Sequence, residues 1–208
     1  MLTDLTIEEF VNEVASSSPA PGGGSVAAFA GAQAAGLLSM YCNLSQKRDK
    51  LGDVVDLIQK TGEEARYIKE KLLEAIDEDT LAFNKVMDAY RMPKDDEKAR
   101  GERNNAVQKA VLYAAEVPLQ TARRSLRILS LIKDIEARGN PSAITDLGVA
   151  NLHAYSGLIG ACYNVQINIS LLNDNKTAAD FNHEVAELHR QGENLFIHNK
   201  ALIENNLS

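Results

Sequence analysis

Apolar side chains recur every three or four residues along most of this chain, the spacing of one face of an α-helix. The longest such run covers 51–92. Leu51, Val55, Ile58, Gly62, Ala65, Ile68, Leu72, Ile76, Asp79, Phe83, Val86 and Tyr90 keep the interval, and Pro93 stops it. A seam of this length is expected of a long bundle helix. A charged stretch, 94–103, reads as a loop into a further helix that runs to about Glu116. Pro118 either kinks that helix or begins a new one, which continues to Arg138 and ends at Gly139. Near the start, Thr6 and Glu9 form a capping box ahead of a short helix whose stripe is Phe10, Val11 and Val14. A last amphipathic helix carries Phe181, Val185, Leu188, Leu195 and Leu202. Two segments depart from amphipathicity. Residues 26–44 hold only Gln33, Ser39 and Asn43 as polar positions, and 143–172 are rich in Gly148, Ala150, Ala154, Gly157, Gly160 and Ala161. A helix apolar on all sides belongs in a domain centre or a bilayer. The predominance of Ala and Gly, with no flanking aromatic belt, favours the centre. No alternating strand pattern occurs. The expectation is one all-α domain over 1–208, a bundle of long helices around a small-residue helix.

Composition adds exclusions. With 208 residues, 45% hydrophobic and 25% charged, the chain can bury a core without disulfides or metals. A net charge of −7, from 22 basic and 29 acidic residues, argues against nucleic-acid or anionic-membrane binding, while leaving room for a local basic pocket. Cys42 and Cys162 show no CxxC spacing, and the N-terminus has no signal-peptide pattern, so a reduced, cytoplasmic protein is expected.

Four groups of residues invite chemistry. Gly22, Gly23, Gly24 and Ser25 form a glycine loop entering a helix, with Ser25 as a plausible N-cap. Its free N–H groups suit an anion or a carbonyl oxygen, and it serves equally as a tight turn. Asp79 occupies the apolar seam between Ile76 and Phe83. Burial there would raise its pKa into the range of a proton donor, unless a Lys or Arg from another helix pairs with it. Asp77 lies about 200° around the helix from it. Asn164 and Asn168 share one helix face as an i, i+4 pair, needing partners from a ligand or from neighbouring backbone. Asp146 reads as a first-turn charge. Lys47, Arg48 and Lys50 form one basic cluster and Arg123, Arg124 and Arg127 another. The four histidines have no metal-ligand spacing.

Taken together, several ordered blocks resemble the cyclodeaminase/cyclohydrolase family, which includes the C-terminal domain of formiminotransferase-cyclodeaminase. They are Pro19 to Ala28 with its PGGGS loop, Asp77 to Phe83 as Asp-x-Asp-x-x-Ala-Phe, Ala89 to Lys94, Val117-Pro118-Leu119, Gly139-Asn140 with Thr145-Asp146, and Tyr163 to Asn168. The resemblance implies an all-helical homodimer or larger assembly acting on a tetrahydrofolate derivative, which can be polyglutamylated, without metal or redox cofactor. It implies Asp79 as the acid. Gly22, Gly23, Gly24, Ser25, Lys47, Arg48, Asp77, Asp146, Asn164 and Asn168 are the implied substrate-binding set. The reaction it implies first is formiminotetrahydrofolate cyclodeamination, a step of histidine degradation. Methenyltetrahydrofolate cyclohydrolysis is the alternative, and a non-catalytic helical ligand-binding or scaffold protein is the rival class.

Overall fold

The computed structural model describes residues 1–47, 52–135 and 137–207. Among them are six α-helices and no strand: α1 (Ile7–Val14), α2 (Gly23–Gln46), α3 (Val55–Arg91), α4 (Glu97–Ile135), α5 (Ile144–Ile169) and α6 (Asn175–Asn205). Arg48, Lys50 and Leu51 lie outside the described residues.

The helix ends follow their capping chemistry. Thr6 accepts from the Glu9 N–H, and the Glu9 carboxylate accepts from the Thr6 N–H, closing the expected box on α1. Asp174 caps α6 by accepting from the Lys176 and Thr177 N–H groups. Helix α2 starts earlier than a Ser25 cap would place it. Gly22 is the N-cap, so the N–H groups of Gly23, Gly24 and Ser25 have no acceptor within the helix. Helix α4 also departs from expectation. It begins at Glu97, inside the charged stretch, and runs unbroken through Pro118. Packing on both sides of Pro118 holds the helix together despite the lost hydrogen bond, because Val117, Pro118 and Leu119 are all buried.

The centre of the bundle is the pair α2 and α5, flanked by α3 and α4. Their small residues let backbones meet. A Cβ on Gly157 would lie 2.9 Å from the Ala27 carbonyl oxygen and 3.0 Å from the Gly31 nitrogen, closer than side chains are tolerated. Around this contact, Leu38, Leu72, Leu119, Ile128, Leu129, Leu147 and Leu158 are fully buried. Each contributes about 1.5–3 kcal/mol through transfer from water. Helix α2 is long and apolar enough to cross a membrane by length and composition, but most of its apolar stretch is buried inside the bundle. On α3, Ile58, Gly62, Ala65, Ile68, Leu72, Ile76 and Val86 are buried along the expected seam, whereas Val55 and Tyr90 at its two ends are exposed. Helix α6 is pinned by buried amides. The Asn199 side chain donates to the Leu129 carbonyl and to Asn151, whose own amide donates to the Phe196 carbonyl.

Helices α2 and α5 run antiparallel. The Gly139 and Asn140 N–H groups, just before α5, donate to Tyr41 Oη and Ser45 Oγ near the end of α2. The start of α2 therefore lies beside the end of α5, and this is where the side chains with chemistry gather.

Candidate active site

The glycine loop, the middle of α3, Ala114 of α4 and the last turns of α5 enclose a cavity of about 370 Å³. Its polar wall is Gly22, Gly23, Gly24, Asp79, Asn164 and Asn168, and its apolar wall is Phe83, Val86, Met87, Tyr90, Ile167 and Leu171. That size and that mixture of a few polar groups on an apolar wall suit a small heterocyclic ligand.

Among the described residues Asp79 is the only carboxylate in the lining. Burial pushes its pKa above the ordinary aspartate value. Hydrogen bonds from the Ser25 hydroxyl and backbone N–H oppose the shift without cancelling it. Ser25 fits both protonation states. Its hydroxyl has one proton and two acceptors in reach, the Ile76 carbonyl at 2.8 Å and Asp79 Oδ2 at 3.1 Å. With Asp79 ionised, the proton can serve the carboxylate. With Asp79 protonated, it can serve Ile76, leaving a lone pair to accept from the carboxyl group. Gly24 exists for this contact, since a Cβ there would run into the Asp79 carboxylate. A Cβ on Gly23 would sit 3.2 Å from the Asn164 amide nitrogen, so the loop, Asp79 and Asn164 form one packed unit.

The other candidate residues lie elsewhere. Asp77 does not line the cavity. It accepts from the Leu2 N–H at 2.5 Å and from Thr3 Oγ1 at 3.0 Å, tying the N-terminal segment across α3. Lys47 is exposed at the C-cap of α2. From Gly23 to Lys47 a helix rises roughly 36 Å. Asp146, in the first turn of α5, stands at the same far end, about 27 Å along the helix from Asn164. Neither reaches the cavity within one chain. Arg48 is outside the described residues. Arg123 is bound to Glu184 through two hydrogen bonds and Arg127 to Glu64 through two more, so that basic cluster ties helices together. Cys42 and Cys162 are free and buried, their thiols pushed up to about 12 and about 11 by burial. Among the described residues no three His, Cys, Asp or Glu side chains converge to hold a metal ion.

Phe83, Val86 and Tyr90 were legible as seam positions but not as a ligand wall, and Met87 was not singled out at all. Counting from Asp79 along one helix face by steps of three or four reaches each of them.

Similarity to known proteins agrees with this geometry. The family model described as formiminotransferase-cyclodeaminase matches residues 6–187. A methenyltetrahydrofolate cyclohydrolase of Methylorubrum extorquens is 37% identical over 180 residues, 86% of each chain. The formimidoyltransferase-cyclodeaminase of Rattus norvegicus is 30% identical over 187 residues, which cover 90% of this chain and 35% of that protein. The crystal structure of a formiminotetrahydrofolate cyclodeaminase from Thermotoga maritima superposes over the full length of both chains with a TM-score of 0.89 at 26% identity. A match over most of the length, together with the second Asp of the Asp-x-Asp motif and a glycine loop meeting at one cavity, places the chain in the formiminotransferase-cyclodeaminase family.

Proposed function

We propose that this chain is a folate one-carbon enzyme acting on the carbon that bridges N5 and N10 of tetrahydrofolate, with Asp79 as the proton carrier. The observation that carries the reading is a single carboxyl group, its pKa raised by burial, set among the first-turn N–H groups of α2 inside a cavity of heterocycle size. A carboxyl group poised nearer neutrality can both give and take a proton.

Two reactions use that carbon. In methenyltetrahydrofolate hydrolysis, the Asp79 carboxylate takes a proton as water adds to the methenyl carbon. It returns that proton to N5 as the C–N5 bond breaks, the hydroxyl proton goes to solvent, and a formyl group remains on N10. In cyclodeamination, N10 of 5-formiminotetrahydrofolate attacks the amidine carbon while the Asp79 carboxyl protonates the amidine nitrogen. The carboxylate then takes the N10 proton and hands it to the amine, which leaves as ammonia. Hydrolysis is favoured by the higher identity, along both chains, to the Methylorubrum cyclohydrolase. Cyclodeamination is favoured by the full-length likeness to the Thermotoga cyclodeaminase. Neither moves electrons, so neither calls for a redox cofactor. Two free buried thiols suit the reducing cytoplasm.

The working unit in this reading is a homodimer or larger assembly. Val26 and Met40 of α2, with Val149, Leu152, Tyr163 and Ile167 of α5, are exposed, and in this reading they form one outer face along both helices. A second copy seated antiparallel on that face would bring its own Lys47 end beside the glycine loop. There its basic residues could hold a glutamate tail, or a polyglutamate tail, that Lys47 of the same chain cannot reach.

Methenyltetrahydrofolate has its own near-ultraviolet absorbance, so one assay tests the reading. The protein is given methenyl- and 5-formiminotetrahydrofolate separately. Accelerated loss of the absorbance with the first, or its appearance with the second, supports the reading and names the reaction. No acceleration of either overturns it.

A further inference from the structure

Pro118 has no N–H, so the carbonyl of Ala114, four residues earlier, lacks the helical donor it would otherwise have. That carbonyl is nonetheless bonded. The Asn168 side-chain nitrogen donates to it at 2.8 Å, from α5 across to α4. The same nitrogen donates to the Asn164 backbone carbonyl, also at 2.8 Å. Both amide protons of Asn168 are thus spent on carbonyl oxygens. Because a carbonyl only accepts, the NH₂ must face them, and the amide cannot be flipped without setting oxygen against oxygen. What remains is Oδ1. It accepts from no described residue, it is not sealed from solvent, and Asn168 lines the cavity.

We infer that Asn168 Oδ1 is a fixed acceptor that reads an N–H donor on the ligand, and that Pro118 is the positioning residue that fixes it by leaving the Ala114 carbonyl without a helical donor. The inference rests on the folate reading above. There the donor is the 2-amino edge of the tetrahydropterin ring. An acceptor whose protons are already committed cannot adapt to a ligand edge offering a methyl group or another acceptor. The price of a mismatch is an unpaired oxygen, so the site selects as well as binds.

The test compares methenyltetrahydrofolate with its analogue carrying a methyl group in place of the 2-amino group, on the parent, Asn168→Leu and Pro118→Ala. The parent should bind the analogue about tenfold to a hundredfold more weakly. Asn168→Leu should bring that ratio close to one by losing affinity for the natural ligand. In Pro118→Ala the new N–H recaptures the Ala114 carbonyl and frees the Asn168 amide to turn. The ratio should fall severalfold, with KM for the natural ligand rising more than kcat falls. A purely structural role would lower the melting temperature and leave the ratio untouched. If Pro118→Ala does not fold, Asn168→Leu decides alone. Equal binding of the two ligands by the parent overturns the inference while leaving the folate reading intact, and so does a parental ratio in Asn168→Leu. A parental ratio in folded Pro118→Ala overturns the role of Pro118. Binding of neither ligand overturns the folate reading itself.

Discussion

The two ends of the α2–α5 pair are built from similar residues and do opposite work. At one end the Tyr41 and Ser45 hydroxyls accept from the backbone N–H groups of Gly139 and Asn140, closing a turn. At the other, Ser25 shares its hydroxyl between the Ile76 carbonyl and Asp79, and the helix starts on glycines beside an open cavity. A glycine serves both ends, since a Cβ at Gly139 would meet Ser45 and one at Gly24 would meet Asp79. Small residues and hydroxyls therefore do not mark a site by themselves. The difference is the buried carboxyl group and the space next to it.

The sharpest way to break this comparison is to fill one end. Gly24→Val should displace the Asp79 carboxyl and cost about as much as losing the acid, on the order of 10²–10⁴-fold in kcat, measured with methenyltetrahydrofolate. Gly36, on the same helix, has nothing within 4 Å of a Cβ, so Gly36→Ala should leave the fold of the chain unchanged by circular dichroism. Parental turnover in Gly24→Val would reduce the loop to a connector.

Next in size is the outer face. Met40→Glu together with Leu152→Glu sets charges on the two exposed helix faces where a second copy is proposed to sit. Light scattering at micromolar concentration should give at least twice 22.7 kDa for the parent and a shift toward 22.7 kDa for the variant. A parent already at 22.7 kDa removes the second copy, and with it any role for Lys47 in the tail site.

A smaller effect is expected at Asp77. Asp77→Ala releases the N-terminal segment without touching the cavity lining. It should cost about tenfold or less in kcat, the lost contacts being those of a half-exposed carboxylate. Exposure of the segment to limited proteolysis should rise. A loss as large as that from Gly24→Val would move Asp77 into the chemistry.

Much of this arrangement was readable from residues alone, and the gaps have physical causes. The seam isolated Asp79 because a carboxylate interrupted an apolar interval, and burial acts on that residue as the pattern suggests. The same periodicity put Asp77 on another face, where it holds the N-terminal segment. Periodicity carries no information on which end of one helix meets which end of another. Lys47 and Asp146 could therefore be grouped with the glycine loop in sequence although they stand at the far end of the bundle. Pro118 was readable as a kink or a helix start. What it does instead depends on Asn168, fifty residues on, whose amide takes the carbonyl that the proline leaves free.

The central claim is that one partly buried carboxyl group carries the proton, and Asp79→Asn tests it most directly when activity and stability are read together. Because its folded pKa is raised, Asp79 binds its proton more tightly in the folded than in the unfolded chain. The burial cost of its charge therefore appears as pH rises above the ordinary aspartate value, and stability falls through that window. Removing the charge should make Asp79→Asn more stable than the parent at pH 7, with the melting temperatures converging in acid below the usual carboxylate range. Over the same window kcat should drop by about 10²–10⁴-fold, and the limb of the parent's pH–rate profile that belongs to this group should vanish. An Asp79→Asn protein that keeps parental kcat, or that loses activity only because it melts earlier than the parent at pH 7, contradicts the account.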